Sequence, residues 1–313
     1  MVSAYCLSYQ NWTVIPYQME ADFNEMLSMG FDTVCLTFSE SEMKYSRRAF
    51  EIQVNLARKA GLKVFVIPSR LGGRFAGAPL MISTWLALHP QHIVPGGWLP
   101  VACLESEEFR TWIKDFMKTI ITDYQLDGIV WDEPKDVGLI DNHPESVLKF
   151  GQNPTYEMGV TGFLDFFDDL SSYCNSLQPN IIQTLFAQKS NDTLFTEKAV
   201  CLKNIQFFGY DGILSRQSYF KEAPVWTKNR LEDVWERTVS ECNLGNKKSF
   251  ALVENMLMPN SAIAEFEENF ERYIQNYRPD HLSIYYYGHN NEDPQKVHDV
   301  VKRIMKQYLG VSR

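Results

Sequence analysis

Eight short β-prone runs, each followed by a stretch of helical periodicity, set the tightest limit on how this chain folds. The runs cover residues 2–9, 32–38 (DTVCLTF), 62–68 (LKVFVIP), 129–131, 180–186 (NIIQTLF), 205–210 (IQFFGY), 249–255 (SFALVEN) and 281–287 (HLSIYYY). Helical patterns at 18–29, 46–60, 106–124, 161–177, 194–201, 230–242, 261–277 and 294–308 follow them. Gly30 and Gly61 stand just past two of these helices, where a left-handed residue ends a helix. Ser106 opens another as an N-cap, with glutamates in the first turn. Strict alternation implies parallel strands joined by helical crossovers. Eight units in 313 residues, with no break in composition, point to an α/β fold: a single closed (β/α)8 barrel over 1–313. A doubly wound open sheet is the alternative. It calls for a GxGxxG turn after an early strand, and none is present. Long loops are expected after strands three (69–104), four (134–158) and six (211–229).

Composition narrows the classes of function. The chain is 45% hydrophobic and 22% charged, as suits a globular protein with a large core. A net charge of −9 argues against a nucleic-acid partner, whose footprint is usually basic. No apolar run reaches transmembrane length, and the N-terminus lacks the basic and apolar regions of a secretory signal. Six cysteines form no CxxC pair, and no histidine is spaced to complete a zinc site with them. Reduced thiols, a cytoplasmic location, no metal and no cofactor are the expectation. Aromatic residues reach 13%, a content that sugar-binding clefts and large cores share.

The chemistry is expected where a barrel keeps it, at the C-terminal ends of the strands. The fourth strand lies in LDGIVWDEPK (126–135). It ends in two adjacent carboxylates, Asp132 and Glu133, followed by Pro134, which has no N–H to extend a ladder. The seventh strand ends at Glu254. Strands four and seven face each other across a barrel mouth. Two opposed carboxyls are what glycosidic cleavage requires: one protonates the leaving oxygen, the other attacks or activates water. The structural alternatives are that Asp132 caps a helix and that Glu254 is a buried acid paired with Arg70 or a lysine.

This placement resembles the clan-A, or 4/7, glycoside hydrolases, which carry the acid/base at strand four and the nucleophile at strand seven. The resemblance implies Glu133 as acid/base, Glu254 as nucleophile and Tyr210 as a hydrogen-bond partner of the nucleophile. The clan has Asn-Glu-Pro on strand four; here Asp132 replaces the Asn, in question for its contact to the sugar 2-hydroxyl. Adjacent acids raise one another's pKa, so Asp132 is expected to tune Glu133. The stretch from 103 to 134 also looks like poorly characterised glycosidase-like barrels with a D-G-x-x-x-D-E strand.

Other rim residues are assigned to a carbohydrate substrate. Arg70 pairs with a rim carboxylate. Asp211 orients Tyr210, binds a hydroxyl or caps a loop. Trp98 and Trp226 are loop aromatics suited to sugar faces, and Tyr287 and His289 follow strand eight. Trp85 reads as a third loop aromatic, and Trp131 as core or subsite wall. Glu40 either holds a hydroxyl or is solvated, and Glu42 reads as solvated. The expected function is hydrolysis of an oligo- or polysaccharide. The rival is a barrel that binds a saccharide or a protein without turnover.

Overall fold

The computed structural model describes residues 1, 3–7, 15–77, 82–94, 99–139, 142–188, 192–215, 229–285 and 291–310, with 3–7 as backbone. Eight strands form one sheet: β1 (Ser3–Leu7), β2 (Thr33–Ser39), β3 (Lys63–Ser69), β4 (Gly128–Asp132), β5 (Ile182–Ala187), β6 (Phe207–Ile213), β7 (Lys248–Glu254) and β8 (His281–Tyr285). They lie in chain order and every pair is parallel. The sheet curls until β1 and β8 lie against each other.

Helices connect the strands: α1 (Pro16–Ser28), α2 (Glu40–Tyr45), α3 (Arg47–Ala60), α4 (Thr84–Leu88), α5 (Glu107–Tyr124), α6 (Pro144–Phe150), α7 (Tyr156–Leu177), α8 (Thr193–Ala199), α9 (Leu231–Gly245), α10 (Ile263–Asn276) and α11 (Pro294–Gly310). No helix among the described residues is long and apolar enough to cross a membrane. Five cysteines, Cys35, Cys103, Cys174, Cys201 and Cys242, are free thiols.

The sheet is buried on both faces, so its side chains divide into two apolar layers with the two-residue period of a strand. Cys35, Phe65, Ile67, Val130, Phe186, Phe207, Phe250 and Leu252 pack together on the concave face. Their neighbours in sequence, including Leu36, Val66, Ile129, Trp131, Leu185, Phe208, Tyr210 and Val253, belong to the larger cluster shared with the helices. His281 belongs to the inner layer, edge-on to Phe65, Phe207 and Phe250. Its burial pushes its pKa down to about 3 and keeps the ring neutral.

Local chemistry explains the boundaries. Gly61 ends α3 at φ 101°. Ser106 accepts from the Phe109 amide ahead of Glu107 and Glu108. Two expected loops carry helices of their own, α4 after β3 and α6 after β4, and the first also holds a two-stranded ribbon of Ile93–Val94 and Val101–Ala102. Helix α2 is a further element beyond the sequence reading. It opens on a capping box: Ser39 accepts from the Ser41 amide and Glu42 accepts from the Ser39 amide at 2.6 Å. Glu42 is therefore buried at a helix start, not solvated as expected.

Gly209 of β6 lies opposite Phe250 of β7, and an added Cβ would sit 1.8 Å from the Phe250 carbonyl oxygen. Backbone cannot yield as a side-chain tip does. Gly209→Ala is expected to cost on the order of 1–3 kcal/mol or more, read as a lowered midpoint in urea unfolding.

Candidate active site

Strand β4 is buried along its whole length. Asp132 has the parity of Val130, so it belongs to the concave face, while Trp131 faces the helices and donates from its indole N–H to Gln183 at 3.0 Å. Trp131 is thus core rather than the wall of a subsite. The next residue departs from strand geometry. Glu133 has φ 36°, in the left-handed region that non-glycine residues rarely enter. This break in alternation lets two adjacent carboxylates stay on the same side. Glu133 forms an ion pair with Lys135.

Glu254 closes β7 and Asp211 lies in β6, both buried. One carboxylate oxygen each from Glu133, Asp211 and Glu254 lies within 4.8 Å of the others. The fold therefore brings together the two acids assigned from the strand ends. Asp211 joins them as a third carboxylate, beyond the loop-capping or Tyr210-orienting role open to it in the sequence.

The electrostatics of Asp132 follow from this crowding. Its pKa is raised to about 7, first by burial and then by the charge of Glu133. Lys135 and Arg70 pull it down, and Glu254 pushes it up further. Arg70 has φ 59° and donates from Nε to the Gly77 carbonyl at 2.9 Å. Its charge acts on Asp132 without an ion pair of the expected kind among the described contacts.

Tyr210 is a correction. It is an outward-facing residue of β6, and its hydroxyl donates to Glu241 of α9 at 2.5 Å. Thr196 and Arg237 donate to the same carboxylate at 2.6 and 2.9 Å. Tyr210 therefore serves the sheet–helix interface rather than Glu254, because it is one residue out of phase with Asp211. Trp85 is also core: it is 6% exposed and stacks on His89 and Trp112. Trp98, Trp226, Tyr287 and His289 lie outside the described residues.

Two buried charged residues support the site. Glu40 accepts from Ser83 Oγ, Thr84 Oγ1 and the Gly72 and Trp85 amides at 2.7, 2.8, 3.2 and 2.7 Å. It is an anchor for the loop after β3 and is neither solvated nor aimed at a ligand. Arg74, 2% exposed, donates to the carbonyls of Ala102 and Asp136 at 2.7 and 3.2 Å. Backbone bonds from Ala76 to Asp132 and from Lys135 to Arg74 dock its segment along the end of β4. No local pattern marks Arg74 in the sequence, since its partners are distant carbonyls. The Ser-x-x-Glu box before α2 did mark Glu42.

No protein-family model matches the chain, and no curated protein matches its sequence. Solved structures match its fold. A β-galactosidase from Rahnella sp. R3 superposes with a TM-score of 0.69 at 11% identity, over 99% of this chain and 56% of that one. The endo-1,4-β-mannanase from Rhizomucor miehei gives 0.63 at 11% identity, over 98% and 94%. The α-amylase from Geobacillus thermoleovorans, complexed with acarbose, gives 0.59 at 14% identity, over 99% and 78%. At such identities the likeness establishes a TIM-barrel-like fold.

The raised pKa of Asp132 gives a signed expectation. The folded state holds this proton up to about pH 7, whereas an unfolded Asp loses it near 3.8. The stability tied to it is therefore present below about pH 4 and is lost as pH rises through about 7. Asp132→Asn cannot ionise, so its unfolding midpoint should gain on the wild type across that window and hold a constant lead above it. Separately, Tyr210→Phe leaves a buried oxygen of Glu241 one donor short. It is expected to cost about 1–3 kcal/mol in denaturant titration.

Proposed function

We propose that residues 1–313 form one (β/α)8 barrel domain that hydrolyses glycosidic bonds of an oligo- or polysaccharide through its carboxylates. The observation that carries this reading is the meeting of Glu133 and Glu254 at the ends of opposed strands, with oxygens within 4.8 Å. That spacing suits retention, for which the two carboxyls stand roughly 5–5.5 Å apart, rather than inversion at roughly 6.5–9.5 Å. The fold likeness to galactosidase, mannanase and amylase structures is in keeping with it.

In the first step, Glu254 attacks the anomeric carbon while the bond to the leaving oxygen breaks. The leaving oxygen takes the one proton of the Asp132–Glu133 pair, which Asp132 holds in the resting state and Glu133 delivers as donor. In the second step, water attacks the same carbon, Glu133 takes the water's proton, and Glu254 leaves as carboxylate. Asp132 holds a proton up to about pH 7. In that state it offers an O–H donor where the clan-A pattern has an Asn amide. The protonated form thus answers the departure from Asn-Glu-Pro, and it spares the mouth one of its negative charges. Asp211 accepts from a substrate hydroxyl, and Arg70 steadies the negative charge around Asp132.

A second reading has its own support. Three carboxylates within ligand reach of one another also suit a hard divalent cation.

A hydrolysis screen on aryl glycosides and oligosaccharides tests both. Glu133→Gln and Glu254→Gln are each expected to lower turnover by about 10²–10⁴-fold or more while sugar binding persists. The product should keep its anomeric configuration by NMR. Added Mg²⁺ or Ca²⁺ should leave the rate unchanged; a rate that requires one of these hard cations favours the second reading. Sugar binding by the wild type without turnover on any substrate would instead favour a binding module.

A further inference from the structure

Where β3 ends, the chain fixes one guanidinium beside the carboxylate mouth. Arg70 follows Ser69, the last residue of β3, and takes φ 59°, so it breaks the strand's alternation as Glu133 does after β4. Its amide donates to the Ala76 carbonyl at 3.1 Å, and its Nε donates to the Gly77 carbonyl at 2.9 Å. The Ala76 amide in turn donates to the Asp132 carbonyl at 2.8 Å, which docks this tight loop on the end of β4. The charge of Arg70 reaches the Asp132 carboxyl. We propose that the two terminal nitrogens of Arg70 receive the carboxylate of an acidic sugar, so that the substrate is a glycan containing uronic acid. The proposal rests on the reading of the mouth as a sugar-cleaving site.

A count of donors carries the argument. A guanidinium has five N–H groups and no acceptor. One of them, on Nε, goes to Gly77. The four on Nη1 and Nη2 meet no acceptor among the described residues, and no carboxylate there forms an ion pair with Arg70. The neighbouring cations are committed elsewhere. Lys135 pairs with Glu133, and Arg74 donates to the carbonyls of Ala102 and Asp136. Arg70 is half-buried, so it gives up part of its hydration and much of its side-chain freedom. A cation held this firmly, on a left-handed backbone, with its terminal fork unengaged, is preorganised for an anion that arrives with the ligand.

Geometry and charge select the anion. Nη1 and Nη2 present parallel N–H groups in one plane, which match the two oxygens of a carboxylate. The mouth already holds Glu133, Asp211 and Glu254 with oxygens within 4.8 Å of one another. A carboxylate adds one negative charge to that crowd, whereas a phosphate ester adds about 1.5 to 2. In a uronic acid the carboxyl carbon replaces the hydroxymethyl group, so the anion is joined directly to the ring. An ion pair there holds the ring at a point remote from the anomeric carbon. Such remote binding orients the reacting centre against Glu133 and Glu254.

The test uses the full chain and calorimetric titration with thio-linked glycosides, which resist cleavage, in gluco, galacto and manno forms. Each form is offered as the uronate, the uronamide, the parent sugar and its 6-sulfate. At least one uronate is expected to bind about tenfold or more tighter than its uronamide and its parent sugar. Arg70→Gln, with its fold checked by circular dichroism, should erase that difference. Arg70→Lys, which keeps the charge and loses the fork, should keep only part of it and reads the same effect if the Gln variant does not fold. A wild type with no uronate preference in any form overturns the assignment. So does a preference that persists unchanged in folded Arg70→Gln or Arg70→Lys, or a 6-sulfate that binds in place of the uronate. The two readings fail separately. Turnover of neutral sugars without a uronate preference removes the acidic-sugar assignment and keeps the hydrolase. Uronate binding that depends on Arg70, with no turnover of any O-glycoside, does the reverse.

Discussion

A parallel sheet buried on both faces must send alternate residues to opposite sides, and this parity governs the rest of the molecule. Phe207, Phe250 and Leu252 fill the concave side, and Phe208, Tyr210 and Val253 fill the side under the helices. The same rule separates neighbours of similar polarity. Asp211 and Glu254 have the parity of the inner layer and meet Glu133. Tyr210, one residue from Asp211, is committed to Glu241 on the far side. A one-residue slip in any strand would exchange these roles.

Parity is broken at the end of β4. A left-handed Glu133 keeps two adjacent acids on one side, at a cost in backbone strain of about 1–3 kcal/mol. Burial and like charge then load the pair, and the proton on Asp132 up to about pH 7 relieves it. Lys135 and Arg70 add positive charge from the two flanking loops. Strain and charge crowding are concentrated where the proposed chemistry needs them, and the supporting loops are tied down by buried polar anchors. Glu40 gathers four donors from the loop after β3, and Arg74 gathers two carbonyls.

Much of this was legible in the residues. The eight strands, their parallel order and most of the long helices follow from periodicity and from punctuation by Gly61, Ser106 and Pro134. The pairing of Glu133 with Glu254 follows from strand counting, because strands four and seven of eight face each other. Tyr210 was misread because nearness in sequence to Asp211 says nothing of which face a side chain takes until the register is known. Glu42 was legible and was misread: Ser39-Glu40-Ser41-Glu42 is a capping box and accounts for its burial. The helices inside the long loops were too short to leave a periodic pattern.

The sequence by itself determined the alternation of elements, and with it the end of the sheet at which the carboxylates collect, because periodicity and chain-breaking residues act locally. Only the tertiary structure decided that Asp211 joins Glu133 and Glu254, that Asp132 is buried deeply enough to stay protonated, and that Arg70 stands where its charge reaches Asp132. Those are juxtapositions of residues about 40 to 120 positions apart. Their distances are set by how the strands curl and how the loops fold back over them, which no local pattern records.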